Sequence, residues 1–367
     1  METVASSPQV LVVGAGVIGL ACARELARRG LRIDVVDAGA RGAASPASAG
    51  LLAPVTEGSE RLPLARLCAE AARQWPAWTR ELEQETEIRI GFEACGALAP
   101  ALDPGDLDHL EQLARTAETL GEPYERLDAA TLRREIPQLS PRAESAILLP
   151  RESRVDPRAV LLALSRSLEA QSVPVHRGRN IHRLHPVRGG IRVEGSGWEI
   201  TVPTVVVAAG AWTSRIDGLQ DLPVRPVKGQ IVSLEPPGWR WRGTVRARTC
   251  YTLFRPGGRL LVGATIEEVG YDGSTTEEAR EELLARAQRV FPGLRSTSVC
   301  DHWAGLRPAP KDGLPIIGYR AGTEILVATA HFRNGILLAP WTADCVADAV
   351  LGTAPPPGPL SPERFFR

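Results

Sequence analysis

The stretch that decides the fold is residues 10–37, VLVVGAGVIGLACARELARRGLRIDVVD. Val10–Val13 is wholly apolar, which is typical of a buried parallel strand, and it leads directly into the glycine-rich turn GAGVIG at 14–19. Residues 20–29 predict a helix, with small and apolar side chains recurring on one side. The stretch therefore begins as strand, turn and helix.

Each glycine of the turn has its own use. Gly14 permits the tight turn, Gly16 lets the backbone approach a pyrophosphate, and Gly19 lets helix and strand pack closely. Residues 33–36 predict a second strand, and Asp37 at its end can accept hydrogen bonds from an adenosine ribose. A lone GxGxxG can be a tight turn without a ligand. Because strand, helix, second strand and acid all follow in order, the unit predicts a dinucleotide site at the helix N-terminus.

Buried strands recur later, at 205–207 (VVV) and 325–328 (ILVA), and each runs into a small-residue segment. Between them a strand meander is predicted near 181, 191 and 198–202, and 224–265 is strand-like. Helices are predicted at 105–120, 128–135, 156–171, 276–291 and from about 335 to 351, before a proline-rich stop at 355–357. The pattern predicts an α/β core that recurs three times, with a β-rich domain inserted between its pieces.

Composition narrows the function classes. The 43 basic side chains balance 43 acidic ones, which argues against a protein that binds nucleic acid through a broad charged surface. Six cysteines have no metal-ligand spacing, and His182 and His185 fall on opposite faces of a strand, so no metal site is expected. The start METVASSPQV lacks signal-peptide features and no apolar run reaches the ~20 residues of a membrane span. A cytoplasmic protein with no membrane span is expected.

Two classes of dinucleotide protein compete: nicotinamide dehydrogenases and flavoproteins. Three glycine-containing segments that end strands, far apart in sequence, favour an extended FAD in one domain. The chain resembles the D-amino-acid-oxidase-type flavoproteins, and most closely the glycine oxidases of thiamine biosynthesis. The segments that carry the resemblance are VVGAGVIG (12–19), SPASAGLLAP (45–54), VVVAAGAW (205–212), PVKGQ (226–230), CYTLFRPGGRLLVGAT (250–265), WAGLRPAPKDGLPIIG (303–318) and HFRNGILLAP (331–340).

The resemblance implies a fold, a cofactor and a set of residues that hold it. The fold is an FAD-binding Rossmann-like domain of the glutathione-reductase type with an inserted antiparallel sheet and helix domain for the substrate. The domains would be 1–88, 147–222 and 303–358 for FAD, 89–146 and 223–302 for the substrate, and 359–367 as a tail. The FAD residues would be Gly14, Gly16, Val17, Ile18, Gly19, Asp37, Ala38, Ala44, Ser45, Ala49, Gly50, Leu51, Ile181, His331, Phe332, Arg333, Asn334, Gly335, Ile336 and Leu337. The helix from Gly335 would direct its N–H dipole at the flavin.

Three side chains would position the substrate. Arg307 would pair with the substrate carboxylate, Tyr251 would help to hold it, and Arg333 would lie near substrate and flavin. No cysteine lies near Lys311, so a non-covalent flavin is expected. Lys228 could activate oxygen as a local positive charge. The favoured interpretation is that it is an exposed lysine that holds a turn or a helix end. Ala330, Thr249 and Trp341 depart from the family pattern, and these departures bear on the size preference of the pocket more than on the reaction.

The implied reaction is the FAD-dependent oxidation of a small amino acid such as glycine, sarcosine or a small D-amino acid. Dioxygen would be the second substrate, and imine or 2-oxo acid, ammonia and hydrogen peroxide the products. Three alternatives stay open. The first is a D-amino acid dehydrogenase or sarcosine-type oxidase of the same family that uses another amine or electron acceptor. The others are a flavin-binding module without turnover and the oxidase half of an RNA-modifying enzyme, against which the neutral charge argues. The sequence leaves open whether the protein is a homo-oligomer.

Overall fold

The computed structural model describes residues 7–58, 61–235, 238–239, 241–255 and 257–366. Its α-helices are α1 (Val17–Arg28), α2 (Ala44–Ala47), α3 (Pro54–Gly58), α4 (Leu62–Thr86), α5 (Leu107–Leu120), α6 (Ala129–Glu135), α7 (Pro157–Ala170), α8 (Glu277–Val290) and α9 (Gly335–Leu351). Its strands are β1 (Val10–Val13), β2 (Ile33–Asp37), β3 (Leu51–Leu52), β4 (Ala97–Ala101), β5 (Glu125–Asp128), β6 (Ser145–Leu149), β7 (Ser153–Arg154), β8 (Val175–Arg177), β9 (Ile181–Val187), β10 (Gly190–Gly195), β11 (Trp198–Val202), β12 (Thr204–Val207), β13 (Val224–Leu234), β14 (Thr244–Arg246), β15 (Tyr251–Phe254), β16 (Leu260–Gly263), β17 (Val299–Pro310), β18 (Ile316–Tyr319) and β19 (Ile325–Thr329).

The first sheet has six strands in the order β18-β19-β12-β1-β2-β8, and all its pairs are parallel except β18 with β19. The strands β1 and β19 are buried along their whole length, which explains why they are almost continuously apolar in sequence. Val10 and Val12 pack in one core with residues of α1, α4, α7 and α9, whereas Leu11 and Val13 pack with the meander β9-β10-β11 on the other face. The sheet is thus the middle layer of three.

The parallel strands direct their carboxyl ends to one edge. β1 leads into Gly14, β2 ends at Asp37, β12 leads into Ala208, and β19 ends at Thr329. In open α/β sheets, ligands bind in the crevice outside the carboxyl ends of the strands. This edge is therefore where the fold places the predicted dinucleotide site.

The second large sheet has eight strands in the order β17-β13-β16-β15-β14-β4-β6-β5. β13 and β17 pair antiparallel from Val224 with Pro310 to Leu234 with Val299. The helix α8 covers this sheet, with Leu283 in the same apolar core as Val262 of β16. β3 and β7 form a separate two-stranded pair.

One long helix was not predicted. α4 spans 25 residues and contains Pro76, which reads in the sequence as a helix breaker. Its Trp75 is fully buried and donates a hydrogen bond from Nε1 to the carbonyl oxygen of Leu337 at 2.9 Å. α4 therefore supports α9 close to the edge where the parallel strands end.

The end of the chain packs against the first sheet instead of only extending past the prolines. Leu360 is buried, and Arg364 pairs with Asp312 at 2.7 Å. Among the described residues, no helix has the length and apolar character needed to cross a membrane.

Candidate active site

A cavity of about 1120 Å³ runs from the edge of the six-stranded sheet to the eight-stranded sheet. The predicted site residues that line it are Gly14, Gly16, Val17, Ile18, Asp37, Ala38, Ala44, Ser45, Ala49, Gly50, Leu51, Ile181, Tyr251, Arg307, His331, Phe332, Arg333, Gly335 and Ile336. Gly19, Asn334 and Leu337 do not line it, and their contacts are with the protein around it. The fold thus brings segments that are up to 322 residues apart in sequence (Gly14 to Ile336) to one cavity.

The turn after β1 fits a ligand that approaches closely because two of its first three residues, Gly14 and Gly16, have no side chain and the other, Ala15, has only a methyl group. Gly14 has φ +106°, and a Cβ there would overlap the carbonyl oxygen of Ala208. A Cβ on Gly19 would overlap the carbonyl oxygen of Gly14, so this glycine lets α1 pack against the turn. α1 begins at Val17, whose N–H donates to Ser45 Oγ at 3.0 Å. Its N-terminus therefore lies at the cavity, where the helix dipole favours an anion.

Asp37 has a structural task that the sequence did not indicate. Its Oδ2 accepts from Ala15 N at 2.6 Å, and its Oδ1 accepts from Gly39 N at 2.7 Å. The carboxylate thus ties the end of β2 to the glycine turn. Each carboxylate oxygen has a second lone pair, so the side chain can still accept from a hydroxyl in the cavity.

The loop between β19 and α9 has an unusual backbone. Ala330 and Phe332 have φ of 60° and 51°, which side-chain-bearing residues adopt infrequently. Phe332 N donates to Pro308 O at 3.0 Å, which ties the middle of the loop to β17, and Asn334 N donates to His331 O at 2.9 Å within the loop. α9 begins at Gly335, as predicted, with its N-terminus at the cavity.

His331 is not placed as a proton acceptor. It is 4% exposed, and its Nε2 lies 3.0 Å from Thr342 Oγ1. Burial lowers the pKa of His331 to about 3, so the imidazole is neutral near pH 7.

Tyr251 lies at the far end of the cavity, on β15. Its partner across the strands is Gly263, where a Cβ would overlap the Tyr251 ring and hydroxyl. Burial raises the pKa of Tyr251 to about 12, although the charges of Arg307 and Arg246 act against this rise. The hydroxyl therefore remains protonated and can donate a hydrogen bond.

Arg307 lies on β17 and is half-buried at the same end of the cavity. Its Nη1 donates to Thr265 O at 3.2 Å and approaches Lys228 O at 3.5 Å. Desolvation lowers the pKa of this guanidinium, while the nearby Tyr251 acts in the opposite direction. Within the described part of the chain, no carboxylate lies at ion-pair distance from Arg307. It is a cavity-facing cation that can take an external anion.

Unlike Arg307, Arg333 lies at ion-pair distance from a carboxylate, and the sequence analysis did not predict this partner. Its Nε lies 3.1 Å from Oε2 of Glu57, a buried residue of α3 whose Oε1 lies 2.8 Å from Arg246 Nη2. Both Glu57 and Arg246 line the cavity. Arg246 is the strand partner of Tyr251, a pairing that the intervening four-residue loop conceals in the sequence. Glu57 lies inside no recognised motif, so no sequence signal pointed to it.

Lys228 holds a turn, as the favoured interpretation expected, but the expectation that it is exposed is wrong. Its side chain is 1% exposed and pairs with Glu267 at 3.1 Å and Asp272 at 3.2 Å, and its Nζ donates to Ser274 O at 3.1 Å. It does not line the cavity. The side chains of β13 are buried from Val227 to Leu234, and this lysine fixes the segment that leads into α8 instead of lining the cavity.

These observations fit FAD. An adenine dinucleotide needs a glycine-rich turn, a helix N-terminus and an acid after the second strand, and all three line the cavity. The same cavity is also lined by Gly335 at the N-terminus of α9, by Tyr251 and by Arg307.

The model of the family described as FAD dependent oxidoreductase matches residues 9–349 of this chain. The chain belongs to this family. FAD is accordingly its cofactor, and the α/β fold class predicted from the sequence is confirmed.

Other members of the FAD dependent oxidoreductase family resemble the chain over most of its length. A glycine oxidase of Pseudomonas aeruginosa is 34% identical over 371 residues, covering 97% of this chain and 99% of that protein. The crystal structure of a glycine oxidase from Geobacillus kaustophilus superposes with a TM-score of 0.92 at 31% identity, covering 96% of this chain and 98% of that one. The bifunctional protein ThiO/ThiG of Synechocystis is 32% identical over 98% of this chain. This chain spans about half the length of that protein and of two similar bifunctional relatives, 54% in the Synechocystis case.

Proposed function

We propose that the protein is an amino acid oxidase that deaminates glycine and other small amines, among them sarcosine and small D-amino acids. The observation that carries the proposal is Arg307, a cavity-facing guanidinium without a carboxylate partner in the described part of the chain, beside the protonated hydroxyl of Tyr251. The similarity to glycine oxidases supports it.

Arg307 and Tyr251 would bind the substrate carboxylate together. The planar guanidinium fork can bond both oxygens, and the Tyr251 hydroxyl can donate a further hydrogen bond. Holding the carboxylate at two points fixes the α-carbon relative to the flavin face, which is the main contribution that a protein makes to such a reaction.

The bound FAD would supply the redox chemistry, taking a hydride from the α-carbon at N5 and passing two electrons to dioxygen. For glycine the balance is glycine, dioxygen and water to glyoxylate, ammonia and hydrogen peroxide. His331 is neutral and Tyr251 stays protonated near pH 7, so neither is suited to remove a proton from carbon. Hydride transfer needs no such base.

We further propose that the product serves the thiazole part of thiamine. The resemblance to glycine oxidases of thiamine biosynthesis and the ThiO/ThiG relatives support this. The domain limits and a cytoplasmic location stay predictions, and the oligomeric state stays open.

FAD should be held without a covalent bond. Cys250 is the one cysteine among the described residues that line the cavity, and burial raises the pKa of its thiol to about 11. A thiol that stays protonated is a poor nucleophile toward the flavin. Acid precipitation should therefore release all the yellow colour into the supernatant.

The test uses the purified, FAD-loaded protein. Oxygen uptake, peroxide and glyoxylate are measured with glycine, and the same assay is run with sarcosine and D-alanine. We expect equal amounts of oxygen consumed and peroxide formed. If an amine reduces the flavin but oxygen reoxidises it far more slowly than a dye does, the protein is a dehydrogenase of the family. If none of the amines reduces the flavin, the proposal is wrong.

A further inference from the structure

Glu57 is a carboxylate at the substrate end of the cavity. It lies on α3, is 8% exposed as a residue, and is placed between Arg246 at 2.8 Å and Arg333 at 3.1 Å. Its charge acts on both Arg307 and Tyr251, which places it close to the two groups proposed to hold the substrate carboxylate.

The contact with Arg333 is not a complete hydrogen bond. Glu57 Oε2 and Arg333 Nε are both buried, and neither has a hydrogen-bond partner among the described residues. Their 3.1 Å separation therefore reflects attraction between charges without an aligned N–H. Because Glu57 Oε2 accepts no hydrogen bond from any described residue, it can accept one from a donor that enters the cavity. Such a bond would be favourable, since a buried acceptor without a donor is costly.

An amino acid brings such a donor. Once Arg307 and Tyr251 hold its carboxylate, its amino group lies two bonds away and needs an acceptor. The carboxylates that line the described cavity are Asp37 and Glu57, and Asp37 already accepts from Ala15 N and Gly39 N at the opposite end. Glu57 is therefore the anionic acceptor available at the substrate end.

We propose that Glu57 accepts an N–H of the substrate amino group. It would thereby select α-amino acids with a free or singly substituted nitrogen over carboxylic acids that have no amino group. The proposal rests on the proposed function and extends it to the amine. Arg246 is a positioning residue in this arrangement, because it pairs with Glu57 and is not proposed to contact the substrate. It lies opposite Tyr251 in the strand register, and its guanidinium is 5.6 Å from the centre of the Tyr251 ring.

The test compares two ligands that differ in the amine. In FAD-loaded protein, the half-saturating glycine concentration is measured from anaerobic flavin reduction, and the dissociation constant of acetate from the shift of the oxidised flavin spectrum. We expect Glu57→Gln to raise the glycine value about tenfold or more and to leave acetate unchanged or tighter, because the cavity loses a negative charge. Arg246→Gln keeps the acceptor, so it should weaken acetate at least as much as glycine.

Glu85→Gln is the matched control, since Glu85 pairs with Arg24 at 2.6 Å but does not line the cavity. Both constants should stay at their wild-type values. If Glu57→Gln fails to retain FAD, Glu57→Asp replaces it, because withdrawing the carboxylate by one methylene should also weaken glycine selectively.

An equal loss for both ligands, or no loss for glycine, would overturn the proposal for Glu57. If glycine fails to reduce the wild-type flavin, the proposed function fails separately. Glycine affinity is then read from the same spectral shift as acetate, and the comparison of variants still decides the role of Glu57.

Discussion

The Arg307 guanidinium occupies the space that the missing side chain of Gly229 leaves open. The two residues lie on β17 and β13, which pair antiparallel, and a Cβ on Gly229 would overlap the guanidinium carbon and both terminal nitrogens. The glycine of the PVKGQ segment therefore sets where the candidate carboxylate ligand can lie.

Gly229→Ala should move the Arg307 side chain without unfolding the protein, because the overlapping atoms are the end of a flexible side chain. We expect kcat/KM for glycine to fall about tenfold or more, since a displaced guanidinium loses part of a two-point contact worth about 1.5–3 kcal/mol. Steady-state kinetics and thermal unfolding measure the two effects.

Gly293→Ala is the control for this substitution, because Gly293 has no neighbouring atom within 4 Å of an added Cβ. It should leave kcat/KM unchanged. Near-native glycine oxidation by Gly229→Ala would show that the position of Arg307 is unimportant.

Arg307→Ala should cost about 2–4 kcal/mol, or roughly 30- to 1000-fold in kcat/KM for glycine. The cofactor should be retained, because the glycine turn and α1 hold it from the other end of the cavity. Arg307→Lys should restore only part of the activity, since an ammonium cannot form the planar fork. Amines without a carboxylate should lose far less activity, and an equal loss for such amines would contradict the assigned contact.

The residues predicted for the dinucleotide end of the site lie together at the cavity because they are close to one another in sequence. The turn at Gly14 and the acid Asp37 belong to one β-α-β unit whose spacing the chemistry dictates. The substrate end is different: Arg246 and Glu57 come from a short strand and a five-residue helix, and only the tertiary fold brings them together. Their roles could not be predicted from either segment alone.

The burial of Lys228 could not be predicted from the local sequence either. A lysine is usually exposed, and local sequence gives no reason to expect otherwise. Here two acids from a later loop, Glu267 and Asp272, pair with it inside the fold. Burial of a charge depends on partners that are distant in sequence.

Gly14→Ala should reduce FAD retention. The residue has φ +106°, and an added Cβ would meet the backbone of Ala208, which cannot move as a side chain can. Strain of this kind costs on the order of 1–3 kcal/mol, so the FAD dissociation constant should rise about tenfold or more. Gly105→Ala, which meets nothing within 4 Å, is the control. The constant is measured by flavin fluorescence, and equal retention by both variants would show that the turn does not hold the cofactor.

The pH dependence of stability should carry a contribution from Glu152. Burial raises the pKa of Glu152 from 4.5 to about 7, although Val55 N, Thr56 N and Thr56 Oγ1 donate to its carboxylate. The folded protein thus binds this proton more tightly than the unfolded chain does, so stability decreases as the pH rises from about 4.5 to about 7. The shift corresponds to about 3 kcal/mol.

Glu152→Gln should therefore become more stable relative to wild type by up to about 3 kcal/mol as the pH rises from 5 to 8, measured by urea unfolding. Glu85→Gln should show the opposite pH dependence: its stability relative to wild type should rise as the pH falls toward the lowered pKa of Glu85. Burial alone would raise the pKa of Glu85, but hydrogen bonds from Ser167 and Arg24 leave it lowered. A pH-independent difference for Glu152→Gln would contradict the raised pKa.

The most direct measurement of the central claim is anaerobic mixing of glycine with the FAD-loaded protein while the flavin absorbance is recorded. The proposed arrangement of Arg307 and Tyr251 against the flavin predicts that glycine bleaches the flavin in wild type. It also predicts that the apparent second-order rate constant falls at least about 30-fold in Arg307→Ala. A flavin that stays oxidised at millimolar glycine, or one that glycine bleaches equally fast in both proteins, would contradict the account.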